Sequence, residues 1–587
     1  MKKIPEVTFR RSRDPRRLPI PCISAILVLL AVHAWNLARA QNSVPSLTRR
    51  FVDVTRSSGI DFHLTAGGPE KEYIFESLEG GVAVFDYDRD GWEDILFVNG
   101  TTMQWGDSAQ APLARLYHNR HDGTFEDVTT SSGIAVRGWC FGAAVADYDN
   151  DGFDDLFITC LGRNYLYRNL GNGKFMDVTD RAGVRGGGFS TSAAFGDYDN
   201  DGRLDLVVAR YVDVDPKAPP AFGSGPFCTY RGIPVYCGPR GLPGERDLLY
   251  HNNGDGTFTE LGQKLGIDPK RDYGLGVVWT DFDNDGRLDL YISNDSTPSL
   301  LYHNITPPGG PAHFEEVGVE AGVAYSAEGH LQAGMGVDSG DYDGDGFFDL
   351  VKTNFSDDAP NLYHNNRDGI FTDLTFEAGI GNLSRTTTGL GVLFVDLENR
   401  GLLDIVVANG HMNPQVDSQP MGIHYAEPNF LFRNLGNGKF AEVGKEAGFI
   451  GIAVNRGLAL IDYDNDGFTD LIFTRLDAPP LLLHNIAAKP GKPNHWLMLD
   501  LQGTRSNRDG YGARVKVTQG SKEQLREVRC NSSYASASDP RPHFGFGPSD
   551  RAVDVEIRWP SGAIDTIKNV AVDQLIHVIE GSTQKQP

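Results

Sequence analysis

The stretch FGAAVADYDNDGFDDLFITC, Phe141 to Cys160, places Asp147, Asp149, Asp151 and Asp155 within nine residues, between two apolar runs. Carboxylates this close repel one another unless a positive charge sits among them. The flanking runs are short, apolar and bounded by turn residues, which is the pattern of two buried strands joined by a tight loop. The loop pattern D-x-D-x-D-G-x-x-D recurs along the chain, starting at Asp86, Asp147, Asp197, Asp281, Asp341 and Asp462, with a degenerate copy, DLENRGLLD, at Asp396.

Two further signatures travel with each loop. A strand ending in Asn follows it: LYHN at Leu116, Leu249, Leu301 and Leu362, LYRN at Leu166, LFRN at Leu431 and LLHN at Leu482. A strand of the form F-x-x-[VL] comes next, as in FEDVTTSSGI from Phe125 and FMDVTDRAGV from Phe175. Turn signals such as LGNG and NGDG separate the two. One unit therefore holds four short antiparallel strands, and seven such units describe a seven-bladed β-propeller in an all-β chain. The seventh unit stops at Asn485 without its F-x-x-V strand, while an unpartnered copy, FVDVTRSSGI, stands at Phe51 before the first loop. The N-terminal strand is expected to complete the last blade and close a ring over residues 51–485, which avoids the exposed edges of an open array.

The ends of the chain read differently. Basic residues from Lys2 to Arg17, an apolar run from Ile23 to Trp35 and the small-x-small site Ala38-Arg39-Ala40 mark residues 1–40 as an export signal. The 13-residue apolar run falls short of the roughly 20 residues a membrane span needs. The protein is therefore expected to be secreted, extracellular or periplasmic, with no membrane span once the signal is removed. Cleavage after Ala40 takes away eight basic and two acidic residues and moves the formal net charge from −24 to −30. Such acidity excludes nucleic acid as a partner, because its phosphates would be repelled, and favours bound cations where the acids cluster. In an oxidising compartment Cys228 and Cys237, nine apart in CTYRGIPVYC, are expected to staple a loop. Cys140 and Cys160 flank one Asp loop and are expected to face each other across a hairpin, which leaves Cys530 over.

Asp at loop positions 1, 3, 5 and 9 with Gly at 6 converges side-chain oxygens on one point, and hard oxygens in that number suit Ca²⁺. The predicted ligands are Asp86, Asp88, Asp90 and Asp94; Asp147, Asp149, Asp151 and Asp155; Asp197, Asp199, Asp201 and Asp205. The set continues with Asp281, Asp283, Asp285 and Asp289; Asp341, Asp343, Asp345 and Asp349; and Asp462, Asp464, Asp466 and Asp470. Calcium is expected to be structural, because the loops join strands instead of lining one pocket, and no histidine accompanies them within the loop. In the Asp396 copy Glu398 and Arg400 replace the second and third aspartates, so a guanidinium is expected in the place of the ion.

These units resemble FG-GAP/VCBS repeats, the calcium-loop propeller repeats also found in integrin α-subunit heads. That resemblance implies Ca²⁺ at the six intact loops. After AAKPGKPNHW the pattern gives way to alternating strand-like runs, a second small all-β domain over residues 494–581. GTRSNRDGYGARVKV, SDPRPHFGFG and VEIRWPSG resemble the ASPIC/UnbV domain that follows such repeats in the cartilage acidic protein family. RCNSSYASASDP departs from the usual lead-in of that domain. Its polar candidates, Asn507, Arg508, Asp509, Arg541 and His543, either stitch turns or touch a ligand.

The resulting expectation is a calcium-binding propeller that mediates extracellular protein or glycan binding. Specificity would lie on the face away from the Asp loops, where Trp139, Arg210, His330 and His411 are candidate ligand contacts. The alternative is a polysaccharide lyase or hydrolase using the same face, with His330 and His411 as bases and Arg210 as charge stabiliser. No nucleophile–base–orienter set stands in the sequence, so no catalytic residue is assigned.

Overall fold

The computed structural model describes residues 50–267, 270–307, 310–488 and 494–583. The export signal expected at 1–40 lies outside them. Among the described residues, seven sheets, one for each loop unit, each take four antiparallel strands from Phe51 to Asn485, and the first is extended to six strands by a hairpin from the C-terminal region. Sheet 1, for example, takes its strands from Val82–Phe85, Asp94–Phe97, Arg115–Asn119 and Phe125–Asp127. The first strand of each sheet is almost wholly buried and packs against the first strands of its two neighbours, so the sheets form a ring with these strands innermost.

The ring closes through the N-terminal strand. Phe51–Asp53 pairs antiparallel with Leu481–Asn485, in register Phe51 with Asn485 and Asp53 with Leu483. Phe51 is buried edge-on against Phe449, with ring centroids 5.2 Å apart.

The Asn that ends each L-Y-x-N strand holds neighbouring sheets together. Its Nδ2 donates to the carbonyl of loop position 2 in the preceding sheet, at 2.7–2.9 Å in all seven units. Asn119 to Tyr463 makes this bond across the closure. A second belt joins loop to loop: Asn150, Asn200, Asn284, Asn399 and Asn465, at position 4, donate to the position-6 glycine carbonyl of the next loop. These asparagines lie at φ between 51° and 66°, a left-handed conformation that Asn tolerates better than most residues.

The F-x-x-V strands run into single helical turns that the strand pattern did not predict. In Thr129–Ser132 the side chain of Asp127 accepts from Thr129 N at 2.9 Å, and Gly133 at φ 83° ends the turn.

The C-terminal region is all-β. His495–Gln502 pairs with His543–Gly547 and Gln574–Ile579, and a second sheet holds Arg514–Gln519, Lys522–Glu527, Val553–Arg558 and Ile564–Val570. Leu497, Val515 and Ile557 share one apolar cluster with Ala83, Ala143 and Leu156 of the propeller. The domain thus packs on the ring.

Its RCNSSYASASDP segment enters the propeller axis as a hairpin, Asn531–Ser532 with Ser536–Ala537. Ser533 exchanges both backbone hydrogen bonds with Val337, Ala143 N donates to Ala535 O, Ala83 pairs with Ala537, and Asp539 N donates to Leu460 O. Tyr534 is fully buried among Phe75, Phe141, Phe189, Leu275, Met335 and Leu390, and its hydroxyl donates to Leu78 O at 2.9 Å. The stretch that departs from the ASPIC/UnbV pattern is the filling of the channel.

One sheet places a charge in the axial ring. Where other inner strands carry Phe141, Leu275, Met335 or Leu390 before a glycine, the seventh carries Arg456, which is fully buried. Its guanidinium donates to the carbonyls of Ser77, Gly410, Asn455 and His411 and so stitches the closing seam. Arg456→Leu, although it restores the residue of sheets 4 and 6, is expected to cost about 3 kcal/mol, because buried carbonyls lose their donors. Urea unfolding measures this, and an unchanged midpoint would refute the stitching role.

Candidate metal centres and the two propeller faces

All seven Asp loops share one hydrogen-bond frame. The position-1 carboxylate accepts from the N–H groups of positions 5 and 6, as Asp86 does from Asp90 at 3.0 Å and from Gly91 at 2.8 Å. Position 9 opens the second strand and accepts from the backbone N–H of the L-Y-x-N asparagine, at 2.6–2.8 Å. The glycine at position 6 has φ between 76° and 100°, which explains its fixed place. The position-3 carboxylate is different: Oδ1 of Asp88, Asp149, Asp199 and Asp464 is buried without a hydrogen-bond partner. Burial pushes Asp94, Asp205, Asp349 and Asp470 up to about 7. Unsatisfied acceptors inside a cradle of carboxylates fit a hard divalent cation.

The histidines that the loops lack come from the neighbouring strand. His118, His251, His303, His364 and His484, third residue of L-x-H-N, lie against the position-3 or position-9 carboxylates; His118 Nδ1 is 3.2 Å from Asp94. In the sequence they stand as ordinary strand residues, since nothing local shows that the third strand returns beside the loop. In LYRN the same place holds Arg168, whose guanidinium lies 2.6 Å from Asp149 and 2.8 Å from Asp151. The Asp396 loop goes further. Arg400 lies 2.7 Å from Asp404 and 2.8 Å from Glu398, and Glu398 also pairs with Arg433 at 2.6 Å and Arg50 at 2.9 Å. Guanidinium groups fill this loop, as its two substitutions predicted.

Comparison with known proteins agrees with this repeat. FG-GAP-like repeats match residues 86–158, 147–208, 237–292 and 341–407, and the ASPIC and UnbV family matches 503–585. This is an FG-GAP repeat protein with a C-terminal ASPIC and UnbV domain. Cartilage acidic protein 1 of Homo sapiens and of Mus musculus are each 24% identical to it over 357 residues, 61% of this chain. The match spans 43% and 44% of their own lengths, so the chain covers less than half of these relatives. Among solved structures, an Agrocybe aegerita lectin that recognises non-reducing terminal N-acetylglucosamine aligns over 68% of this chain and 87% of its own, at 16% identity and a TM-score of 0.37. A Bacillus licheniformis rhamnogalacturonan lyase aligns over 88% and 92%, at 12% identity and a TM-score of 0.31. Neither likeness bears on ligand or activity.

The ASPIC and UnbV domain lies over the Asp-loop face of the FG-GAP propeller. Asp147 N donates to Asp509 at 2.8 Å, Arg508 N donates to Asn150 at 2.9 Å, and Arg514 lies 3.1 Å from Asp281. His543 Nε2 meets Gly467 O at 3.1 Å, while Asn507 stitches its own turn to Tyr511.

On the opposite face the four candidate contacts do not form a site. Trp139 is buried with its ring 4.7 Å from that of Phe75. His411 is fully buried, accepts from Asn413 N and meets Ser356 Oγ at 3.1 Å, and burial pushes its pKa down to about 3. Arg210 pairs with Glu245. Only His330 is exposed. Links between blades run past the channel mouth, so polar residues that look like loop surface end up in the interior.

Both expected disulfides are formed, Cys140–Cys160 and Cys228–Cys237, and Cys530 is free and buried. The second staples an insertion that crosses the ring: Tyr230 meets Ser356 at 2.9 Å, Arg231 pairs with Asp357, and Tyr236 meets Ser77 at 3.1 Å. Among the described residues no helix is long and apolar enough to cross a membrane.

Proposed function

We propose that this is a secreted, calcium-stabilised propeller that binds an extracellular protein or glycan through the face away from its Asp loops. The observation that carries the calcium reading is the contrast between loops. A position-3 carboxylate oxygen is buried and unpartnered in four of the six intact loops, whereas Arg400, Arg433 and Arg50 satisfy the altered one. The intact loops would hold the ion through Asp oxygens, and the ion would supply the charge that lets those carboxylates coexist.

Elemental analysis of calcium-saturated protein is expected to give six ions per chain. The Asp147 and Asp281 sites should fill last, because arginines already pair with two carboxylates in each. Calcium between Asp396 and Asp404, or a protein that binds none, would overturn the assignment.

The recognition half of the proposal rests on access. The C-terminal domain covers the loop face, while the far face presents exposed Met103, Phe227 and Leu331 on connections that hold no metal loop. Arg210 and His411 are structural, so altering them would test the fold and not recognition. Arrays of glycans and secreted proteins should instead be probed with the parent and with a Met103→Ser, Phe227→Ser variant. Ligand capture is expected to fall while the calcium-dependent melt stays unchanged. Equal capture by both would refute recognition by this face.

A further inference from the structure

Comparison of the seven loops with one another exposes a local anomaly. Loop position 8 carries buried Leu204, Leu288, Phe348, Leu403 and Thr469 in five sheets, but the buried Glu93 and the half-buried Asp154 in the adjacent sheets 1 and 2. Position 4, which elsewhere holds the bridging asparagine or Gly344, holds Arg89 in sheet 1. The loop-to-loop hydrogen bond is therefore replaced at the junction of sheets 1 and 2.

All three departures line one cleft between this junction and the C-terminal domain, with a volume of about 250 Å³. Glu93 is 4% exposed; its Oε1 lies 3.3 Å from Arg541, and its Oε2 has no hydrogen-bond partner. Arg541 is chiefly held by Asp539, outside the lining, through bonds of 2.6 and 2.8 Å. Apart from the loop ligand Asp86, four carboxylates line the cleft with three arginines and His577, whose Nδ1 lies 2.9 Å from Asp500, and Leu499, Leu501 and Leu575 form an apolar wall. The repeat supplies an uncharged residue at position 8 in all five other loops. Two carboxylates replace it only where the cleft lies.

We infer that this cleft binds a small ligand carrying an ammonium group, with Glu93 and Asp154 of the propeller and Asp509 of the C-terminal domain receiving the charge. A bare ion would leave most of the volume and the leucine wall unused. The buried Glu93 oxygen that lacks a donor disfavours an anion, and a charged donor stabilises it more than a neutral hydroxyl does. An ammonium group offers three donors to carboxylate acceptors, and its carbon body covers the wall.

The test is calorimetric titration of calcium-saturated full-length protein in 150 mM NaCl with cadaverine and with its neutral isostere 1,5-pentanediol. One saturable site for the diamine and none for the diol are expected. The double variant Glu93→Leu, Asp154→Leu, which restores the residue of the other loops, should bind at least ten-fold more weakly. Glu93→Gln, which keeps the shape, supplies the same comparison should the double variant fold poorly. Absence of saturable diamine binding by the parent would overturn the proposal, and so would equal affinities in parent and variants. Loss of one calcium per chain in the variants would also overturn it, since the cleft would then be a metal site.

Discussion

Deleting residues 51–60 is expected to abolish cooperative folding or to lower stability by about 5 kcal/mol or more. The last sheet loses the strand that pairs with Leu481–Asn485, and the buried side chains of Phe51 and Ile60 go with it. Each large apolar side chain is worth about 1.5–3 kcal/mol when buried, before the lost strand hydrogen bonds are counted. The total approaches the roughly 5–15 kcal/mol that holds a typical domain together. The deletion also bares the edge of a strand, inviting edge-to-edge association. Circular dichroism melts and gel filtration check both effects. A deletion variant that melts at the parental temperature as a monomer would refute closure by this strand.

Removal of calcium should have an effect of similar size. Each site at a free concentration about a hundred times its dissociation constant adds about 2.7 kcal/mol to the folded state. Over several sites in a chain of this length the midpoint should move by on the order of 10 °C between calcium and chelator. Metal-free protein must also keep buried carboxylates such as Asp94 and Asp470 charged with only a neighbouring histidine for balance, or protonate them. Scanning calorimetry of verified metal-free and calcium-saturated protein measures the difference. Coincident transitions would refute a structural role for the ion.

The repeat was legible because it is written locally. Nine residues define an Asp loop, four define L-Y-x-N, and the missing strand after Asn485 could be matched to the spare one at Phe51. The occupation of the Asp396 loop by Arg400 followed from two substitutions within three residues, and both disulfides from short spacings. Meaning that depends on neighbours in other sheets was hidden. The L-Y-x-N asparagine looked like a strand end, yet its amide reaches the preceding sheet. The histidine beside it meets carboxylates only because strand three returns alongside the loop. Trp139 and His411 sit in segments with the composition of exposed loops, but those segments border the axis, where seven inner strands leave space that bulky side chains fill. The hairpin at Asn531–Ala537 offered least of all: small polar residues suit a surface turn, and also a narrow channel whose walls present backbone and hydroxyl groups.

That hairpin has a consequence for how the molecule is made. The first strand of the ring is synthesised more than 400 residues before its partner at Leu481–Asn485, and the axial hairpin at 531–537 follows that partner. Neither the perimeter nor the axis can be completed before residues 481–537 have left the ribosome. Contacts of such long range favour slow assembly, and they place closure of the ring and filling of its axis late in synthesis. A chain released early would therefore present an open ring with an empty centre, a form that quality control could distinguish from the finished protein by its exposed edge alone.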